Sequence, residues 1–357
     1  MKTIIYTNYL KNLFLACALL ATSTILAQEE EAEEEKKPIS FSGSLDTYYR
    51  TNITGPNGDN AIAPGSSFAN LDGFALGFAN IIAAYEGDKV GAVADLVFGP
   101  RGTDAVFGSP FVSNTGDIIN QLYVYWNVSD NVTLTLGNFN TFLGYEVIAP
   151  AANFNYSTSY LFSYGPFSHT GIKADFDLGS DWSAMVGVFN PTDVTEANFD
   201  GDYAVGAQLG YSGQYLNALF SEGGFELDYT GGFDLSEDFF LGINAAFFTQ
   251  EDDGPSFAGV ALYPQYATSE NFTLGLRGEL FTTTNGFGDI ASIGSDADGD
   301  GSVFAVTLTG SATIGNNLII KPELRLDSSA EDAFLDSDLD PNSSLVSFLI
   351  AGIFKFD

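Results

Sequence analysis

Cysteine and histidine are almost absent from this 357-residue sequence, which contains one residue of each, Cys17 and His169. Cys17 lies in an N-terminal segment that resembles a cleavable signal, so the mature chain would have no cysteine. Disulfide bonds, a thiol nucleophile and a thiolate metal site are then excluded. No stretch of about 18 apolar residues follows that segment, so the sequence predicts no transmembrane helix.

Basic residues are also scarce. Lys and Arg total 12 against 46 Asp and Glu, which gives a formal net charge of −34. So acidic a surface repels phosphate groups, and we expect no nucleic-acid partner. Strongly acidic chains are often disordered, but 32 Phe and 17 Tyr argue against disorder here. The protein must bury a large aromatic surface or expose it to lipid.

Residues 1–27 have the layout of a secretory signal peptide. Lys2 and Lys11 form a basic region, residues 13–20 are apolar, and a plausible cleavage point follows residue 27. Cleavage before Cys17, as in a lipoprotein, is the alternative, although it would truncate the apolar region. We therefore expect an exported protein.

Residues 28–38 form an acidic tail, interpreted as a periplasmic spacer, and residues 39–357 alternate between apolar and polar positions with period two. The predicted strand at 318–327 shows the alternation most clearly. One face carries Leu318, Ile320, Leu324 and Leu326, and the other carries Lys321, Glu323, Arg325 and Asp327. Such alternation places one face on an apolar medium and the other on water.

The connections between predicted strands alternate between short turns and long loops rich in Gly, Asp, Asn and Ser. The predicted strands span 39–50, 71–86, 89–99, 116–128, 132–142, 168–177, 182–190, 202–211, 214–220, 225–235, 239–248, 257–266, 272–283, 303–314, 318–327 and 345–356. An even strand count with short turns at one rim is the layout of an outer-membrane barrel. We predict an all-β, antiparallel up-and-down transmembrane β-barrel of about 16 strands, with 14 left open because three strands alternate poorly.

The region between residues 136 and 171 carries a family resemblance. Its motifs are Leu136-Gly137-Asn138-Phe139-Asn140-Thr141, Gly144-Tyr145-Glu146-Val147, Asn153-Phe154-Asn155-Tyr156-Ser157, Tyr160-Leu161-Phe162-Ser163-Tyr164-Gly165-Pro166-Phe167 and His169-Thr170-Gly171. This region resembles the OmpL-like β-barrel porins common in the outer membranes of Bacteroidota. The resemblance implies an outer-membrane location and a channel role, and it implies no catalytic residues.

Charged side chains on the polar faces of the strands are the candidate pore-lining residues. They are Arg50, Lys89, Asp95, Lys173, Asp175, Arg277, Glu279, Lys321, Glu323 and Arg325. Sixteen strands enclose more space than side chains fill, so water is expected inside, and charges in a wet lumen set ion selectivity. The alternative is that these charges form neutralising pairs that merely fill a small barrel.

The third long loop, residues 143–167, is the candidate constriction loop, by analogy with sixteen-stranded general porins. The side chains able to hydrogen-bond a passing solute there are Glu146, Asn153, Asn155, Tyr156, Tyr160 and Tyr164. The alternative is a loop folded over the outer mouth of the barrel.

Metal binding and catalysis have weak support. Asp296, Asp298 and Asp300 match the front half of a calcium loop, but Thr307 stands where its bidentate Glu belongs, so an acidic external loop is the preferred interpretation. A lone His169 is weak support for a barrel hydrolase. We predict no metal, no cofactor and no enzymatic activity.

The sequence thus favours an outer-membrane porin that passes small hydrophilic solutes and weakly prefers cations. Expected partners are outer-membrane lipid and lipopolysaccharide, the barrel assembly machinery and the solutes themselves, with a homo-oligomer left open. Two alternatives stand beside this prediction. One is a plugged surface barrel whose acidic loops bind a partner, and the other is a barrel hydrolase.

Overall fold

A computed structural model describes residues 39–108, 112–199, 201–250 and 252–356. The predicted signal peptide and acidic tail lie outside the described residues. Within the described ranges no helix is long and apolar enough to cross a membrane.

Sixteen antiparallel strands of the described chain form a closed barrel in which each strand pairs with its neighbours in sequence and the last pairs with the first. The strands are β1 (Ser40–Asn52), β2 (Gly73–Glu86), β3 (Val90–Phe98), β4 (Ile119–Ser129), β5 (Val132–Asn140), β6 (Ser168–Gly179), β7 (Trp182–Phe189), β8 (Ala204–Tyr211), β9 (Gln214–Ser221), β10 (Gly224–Asp234), β11 (Phe239–Thr249), β12 (Ser256–Ser269), β13 (Phe272–Thr284), β14 (Gly301–Ile314), β15 (Leu318–Ser329) and β16 (Ser344–Phe356). The predicted fold class is confirmed, and the count is sixteen rather than fourteen.

The helices are short and lie in the long connections. They are α1 (Pro100–Asp104), α2 (Tyr160–Tyr164) and α3 (Phe287–Ile290), together with 3-10 turns at Gly58–Asn60 and Gly116–Ile118. A two-residue ladder pairs Phe334–Leu335 with Pro341–Asn342 in the last long connection.

Burial along the strands is inverted relative to a water-soluble protein. In β15, Lys321 and Glu323 are each 2% exposed, whereas Leu324 is 45% exposed. The outward apolar side chains have no protein to cover them, and in a membrane they contact lipid instead. Because charged groups are costly to bury without partners, the inward ones must be hydrogen-bonded to something inside the barrel.

The connections sort by length between the two rims. The β6–β7 and β8–β9 turns have two central residues each, Ser180–Asp181 and Ser212–Gly213, all with φ between 50° and 78°. Positive φ at both positions defines the type I′ turn, which matches the twist of a hairpin. At the long-loop rim the β9–β10 connection is an exception, since only Glu222 and Gly223 separate the strands. The rim is therefore lowest beside β9 and β10.

Candidate functional site

The third long connection, residues 141–167 and hereafter L3, lies inside the barrel. The backbone amide of Tyr160 donates to Glu279 of β13 at 3.0 Å, and that of Tyr156 donates to Glu323 of β15 at 2.5 Å. Near the start of L3, the amide of Gly144 donates to Asp228 of β10 at 3.0 Å. L3 is thus attached to two separate parts of the barrel wall.

The first part, hereafter the anchoring wall, consists of β13 to β16 and β1. Strand β14, which lies between β13 and β15, presents small side chains inward, including Ala305, Thr307 and Thr309. Thr307 is in register with Arg277 on one side and Arg325 on the other. The small side chains of β14 therefore leave space on the inner surface of the wall between the long charged side chains of β13 and β15. L3 occupies this space.

Arg277 makes the central ion pair of the anchoring wall. Its Nη1 lies 2.7 Å from Oε1 of Glu146 in L3, and both side chains are almost completely buried. The same guanidinium donates to the carbonyl of Ser157 at 2.6 Å and to Oγ1 of Thr307 at 3.1 Å. A planar fork of five donors suits such a site, because one side chain satisfies a carboxylate and a carbonyl together.

Two carboxylates of the anchoring wall hold the backbone of L3. Glu279 accepts from the amides of Tyr160 and Leu161, the second at 2.8 Å, where α2 begins and its first amides lack helical partners. Glu323 accepts from Tyr156 and from Ser157, the latter at 3.0 Å. These charge-assisted bonds fix the path of L3 without using its side chains.

Cations hold the carbonyl groups of L3 in the complementary way. The ammonium of Lys321 donates to the carbonyls of Pro150, at 3.0 Å, and Asn153. Arg325 donates to the carbonyl of Thr158 at 2.9 Å. Acids therefore bind amides and bases bind carbonyls, so the alternating charges of β15 match the polarity of the L3 backbone.

Three tyrosines of L3 point toward the barrel and its other loops. The hydroxyl of Tyr156 donates to Asp46 of β1, and that of Tyr160 donates to Asp327 of β15 at 3.0 Å. Tyr164 donates to a backbone carbonyl of the first long loop at 2.6 Å, and burial raises its pKa to about 12. At neutral pH this hydroxyl keeps the proton that the bond requires.

The two predicted asparagines of L3 have different partners. The side chain of Asn153 bonds both the amide and the carbonyl of Val147, closing a turn within L3. Asn155 donates to Oγ1 of Thr309 on β14 at 2.6 Å. The structure therefore brings all six predicted loop residues inside the barrel and gives each a protein partner.

The ten predicted pore-lining residues separate into three groups. Those in contact with L3 are Arg277, Glu279, Lys321, Glu323 and Arg325. Arg50 bonds an asparagine side chain and a nearby carbonyl, and Asp95 accepts from asparagines of β2 and β4, so both are buried within the wall. Lys173 and Asp175 form a half-exposed pair at 2.8 Å, and Lys89 lies exposed at the β2–β3 turn.

The second part of the wall that holds L3, hereafter the acidic wall, consists of β8 to β11. Asp228 accepts from the side-chain amides of Asn217 at 2.6 Å and Asn244 at 2.5 Å, in addition to Gly144. Two residues earlier on the same face, Glu226 is 6% exposed. Among the described residues of β8–β11 there is no Lys or Arg, and the three donors that hold Asp228 are all neutral amides.

The cavities lie on either side of L3. One of about 570 Å³ opens at the long-loop rim and is hereafter the outer vestibule. Two others, of about 430 and 420 Å³, lie toward the short-turn rim, beside Asn153–Asn155 of L3 and beside Lys173 respectively. L3 contributes to the linings of the outer vestibule and the 430 Å³ cavity, so it lies between them.

The outer vestibule has an acidic lining. Its described residues include Asp193, Asp202, Glu222 and Glu226, and no Lys or Arg. Asp193, in the β7–β8 loop, accepts from the amide of Phe167 at the end of L3, at 2.8 Å, and from that of Ser168 at the start of β6, at 2.9 Å. Burial raises the pKa of Asp193 to about 6, although these two donors oppose the increase.

Sequence reasoning missed several of these residues. Asp46 and Asp228 lie on inward faces of alternating strands, so the period-two pattern could have added them to the candidate residues. Asp327 lies on the predicted polar face of 318–327 but is not among the candidate pore-lining residues. Arg101 lies in α1, just after β3, and donates to two carbonyls of L3. Asp193 lies in a loop, so neither residue belongs to an alternating strand. No local signal in the sequence marks these two as partners of L3.

The aspartates of the calcium-like segment stabilise a turn. Oδ1 of Asp296 accepts from the amides of Asp298 at 2.9 Å and Asp300 at 3.0 Å. The same arrangement recurs at Asp336, in the loop before β16. Side-chain oxygens that bond the amides two and four residues later are a usual device of acidic turns.

A closed sixteen-strand barrel with an apolar outer surface, a polar interior and an internal third loop has the architecture of an outer-membrane porin. A family model described as "Putative beta-barrel porin-2, OmpL-like" matches residues 38–356. The chain belongs to this family and is an outer-membrane porin, as the sequence resemblance predicts. No curated protein matches the chain.

Three solved structures share the fold at low sequence identity. OmpF of Salmonella typhi, in complex with daunomycin, has a TM-score of 0.57 and 10% identity, covering 92% of this chain and 100% of that chain. The anion-selective porin from Comamonas acidovorans has a TM-score of 0.55 and 12% identity, covering 89% of this chain and 99% of that chain. OmpT of Vibrio cholerae, in its trimer form, has a TM-score of 0.51 and 10% identity, covering 89% of this chain and 99% of that chain. These identities support a common fold and nothing finer.

Proposed function

We propose that this porin lets small hydrophilic solutes diffuse passively across the outer membrane, with a preference for cations, and that it catalyses no reaction. Selection follows from the width left beside L3 and from the electric field of the lumen. The pore-lining residues are those that border the cavities on the two sides of L3, and L3 restricts the passage between them.

The charge balance inside the barrel supports the cation preference. Of the eight Lys and Arg residues in the described ranges, five are buried: Arg50, Arg101, Arg277, Lys321 and Arg325. Four of the five donate to L3, and Arg277 and Arg325 are also ion-paired, with Glu146 of L3 and Asp327 of β15 respectively. Little positive potential therefore reaches a passing ion.

The acidic lining of the outer vestibule is the observation that carries this proposal. Four carboxylate residues and no basic residue line its described part. Unbalanced charge of one sign in a cleft concentrates counter-ions over about a Debye length, roughly 10 Å at 0.1 M salt. Cations would accumulate at the outer mouth, and anions would be depleted.

Reversal potentials in a KCl gradient across planar bilayers test the preference. We expect a cation-selective potential that shrinks as salt rises. The double variant Asp202→Asn/Glu222→Gln, at the rim of the outer vestibule, should weaken the potential at low salt. Glu237→Gln, on the short-turn rim, is the matched control and should behave as the parent. Anion selectivity of the parent barrel would contradict the proposal.

The remaining partners follow from the surface of the barrel. The exposed apolar side chains of the strands would contact outer-membrane lipid and lipopolysaccharide, and the barrel assembly machinery would insert the chain. A homo-oligomer is compatible with the fold, and the similar OmpT structure is a trimer form. Crosslinking of the folded protein in outer-membrane vesicles tests this part of the proposal.

The dense anchoring of L3 favours one alternative, a barrel closed by L3 whose acidic outer loops bind a partner. Bonds from both walls, rather than from one, attach L3. Single-channel recording separates the two functions, because a closed barrel would show no unitary conductance in the parent protein.

A further inference from the structure

The outer vestibule contains a buried carboxylate that lacks an internal donor. Glu226 is 6% exposed and lines the cavity opposite Gly165 of L3. No hydrogen bond or ion pair to its carboxyl group is found among the described residues. Its neighbour Asp228, by contrast, accepts three hydrogen bonds. The acidic wall thus satisfies one carboxylate fully and leaves the next one directed at the cavity.

Burial without a partner is costly for a carboxylate, and buried charges are normally paired. Asp193 lines the same cavity at 8% exposure and uses only Oδ1 for its two bonds to the amides of Phe167 and Ser168. Two carboxylates thus face a space whose described lining contains no cation. A ligand that satisfies them must bring positive charge and N–H donors from outside the chain.

The rest of the lining indicates the kind of cation. A volume of about 570 Å³ accommodates a small organic molecule rather than a bare ion. Aromatic rings of Phe107, Tyr164, Tyr203 and Phe248 border the same cavity. Aromatic faces attract ammonium groups and cover apolar substituents. An acidic and aromatic cavity therefore suits an organic ammonium ion with an apolar body.

We propose that the outer vestibule is a recognition site for organic ammonium ions, with Glu226 pairing the ammonium group, Asp193 adding a second carboxylate and the rings contacting the organic body. The site rests on the proposed function, since it would load such solutes at the mouth of the diffusion path. The proposed site also specifies the chemical class of these solutes, whereas cation preference alone does not.

Calorimetric titration of the purified, detergent-folded barrel tests the site with benzylammonium as the probe and benzyl alcohol as its uncharged match. Benzylammonium should bind, and benzyl alcohol should bind at least about tenfold more weakly, because its hydroxyl still donates one hydrogen bond but lacks the positive charge that pairs with the carboxylate. Glu226→Gln should weaken benzylammonium binding by a similar factor. Glu237→Gln, on the opposite rim, should leave it unchanged.

Equal affinity for the amine and the alcohol would overturn the proposal, as would full affinity in the folded Glu226→Gln variant. If that variant does not fold, Asp193→Asn replaces it, since Asn tolerates the positive φ of 63° at that position. Displacement of the probe by equimolar potassium would also overturn the proposal. Single-channel recording of the same preparation separates the failures: conduction without binding refutes the site alone, and binding without conduction refutes the channel alone.

Discussion

The anchoring wall and the acidic wall use similar charged residues in opposite ways. On β15, Lys321, Glu323, Arg325 and Asp327 alternate in sign along one face, and each bonds L3 or a neighbour. On β10, Glu226 and Asp228 are of one sign, and only amides bond Asp228. The number of inward charges therefore does not set the lumen field. The field depends on which wall has its charges neutralised by L3.

The largest effect is expected from breaking the anchoring wall at Arg277. Arg277→Met leaves Glu146 buried without its cation, and removing one member of a buried pair costs about 3–5 kcal/mol. Urea unfolding of the barrel in lipid vesicles, followed by Trp126 and Trp182 fluorescence, measures the loss. The double variant Arg277→Met/Glu146→Gln should lose less than the single variant, because no unpaired charge remains. Additive losses would show that the pair is not coupled.

A smaller effect on stability is expected near the acidic wall, where it arises from a buried carboxylate and not from a buried ion pair. The pKa of Asp193 is raised from 3.8 to about 6 by burial, so the folded state favours the protonated form. The free energy of unfolding should therefore fall as pH rises from about 4 to about 6 and level off above that. Asp193→Asn keeps an acceptor for the amides of L3 and should remove this part of the pH dependence. A parent protein that gains stability through this window, relative to the variant, would contradict the assignment.

The smallest effect is expected away from both walls, at the pair formed by Lys173 and Asp175. The carboxylate is 39% exposed and the ammonium 24%, so water screens their attraction. Lys173→Met should change the unfolding free energy by less than about 1 kcal/mol. The same urea assay checks this, and a loss as large as that of Arg277→Met would show that burial under L3 is not what distinguishes the anchoring wall.

The period-two pattern predicted the barrel closely because alternation reports directly which side of a strand meets lipid. For β15 it also identified the inward charges, since Lys321, Glu323 and Arg325 follow one another at every second position. It did not indicate their partners. The bonds join residues more than a hundred positions apart, such as Arg277 and Glu146, and β-pairing carries no information about where a loop folds.

The acidic wall was harder to predict for a different reason. Glu226 and Asp228 lie on the polar face of β10, but a strand pattern does not reveal which carboxylates will lack a cation. Asp193 belongs to a loop, and its role depends on the amides at the end of L3. Whether a carboxylate lacks a cationic partner depends on which segments meet inside the folded barrel, and the local sequence does not show this.

The unitary conductance of the parent barrel and of a variant lacking residues 153–159 tests the central claim most directly. This deletion removes L3 backbone groups bound by Lys321, Glu323 and Arg325 and leaves all sixteen strands intact, so heat-modifiable migration on gels should confirm folding. If L3 separates the outer vestibule from the inner cavities, the parent should conduct and the deletion should raise unitary conductance at least about twofold, since conductance grows with the open cross-section. An unchanged conductance in a correctly folded deletion variant would contradict the account.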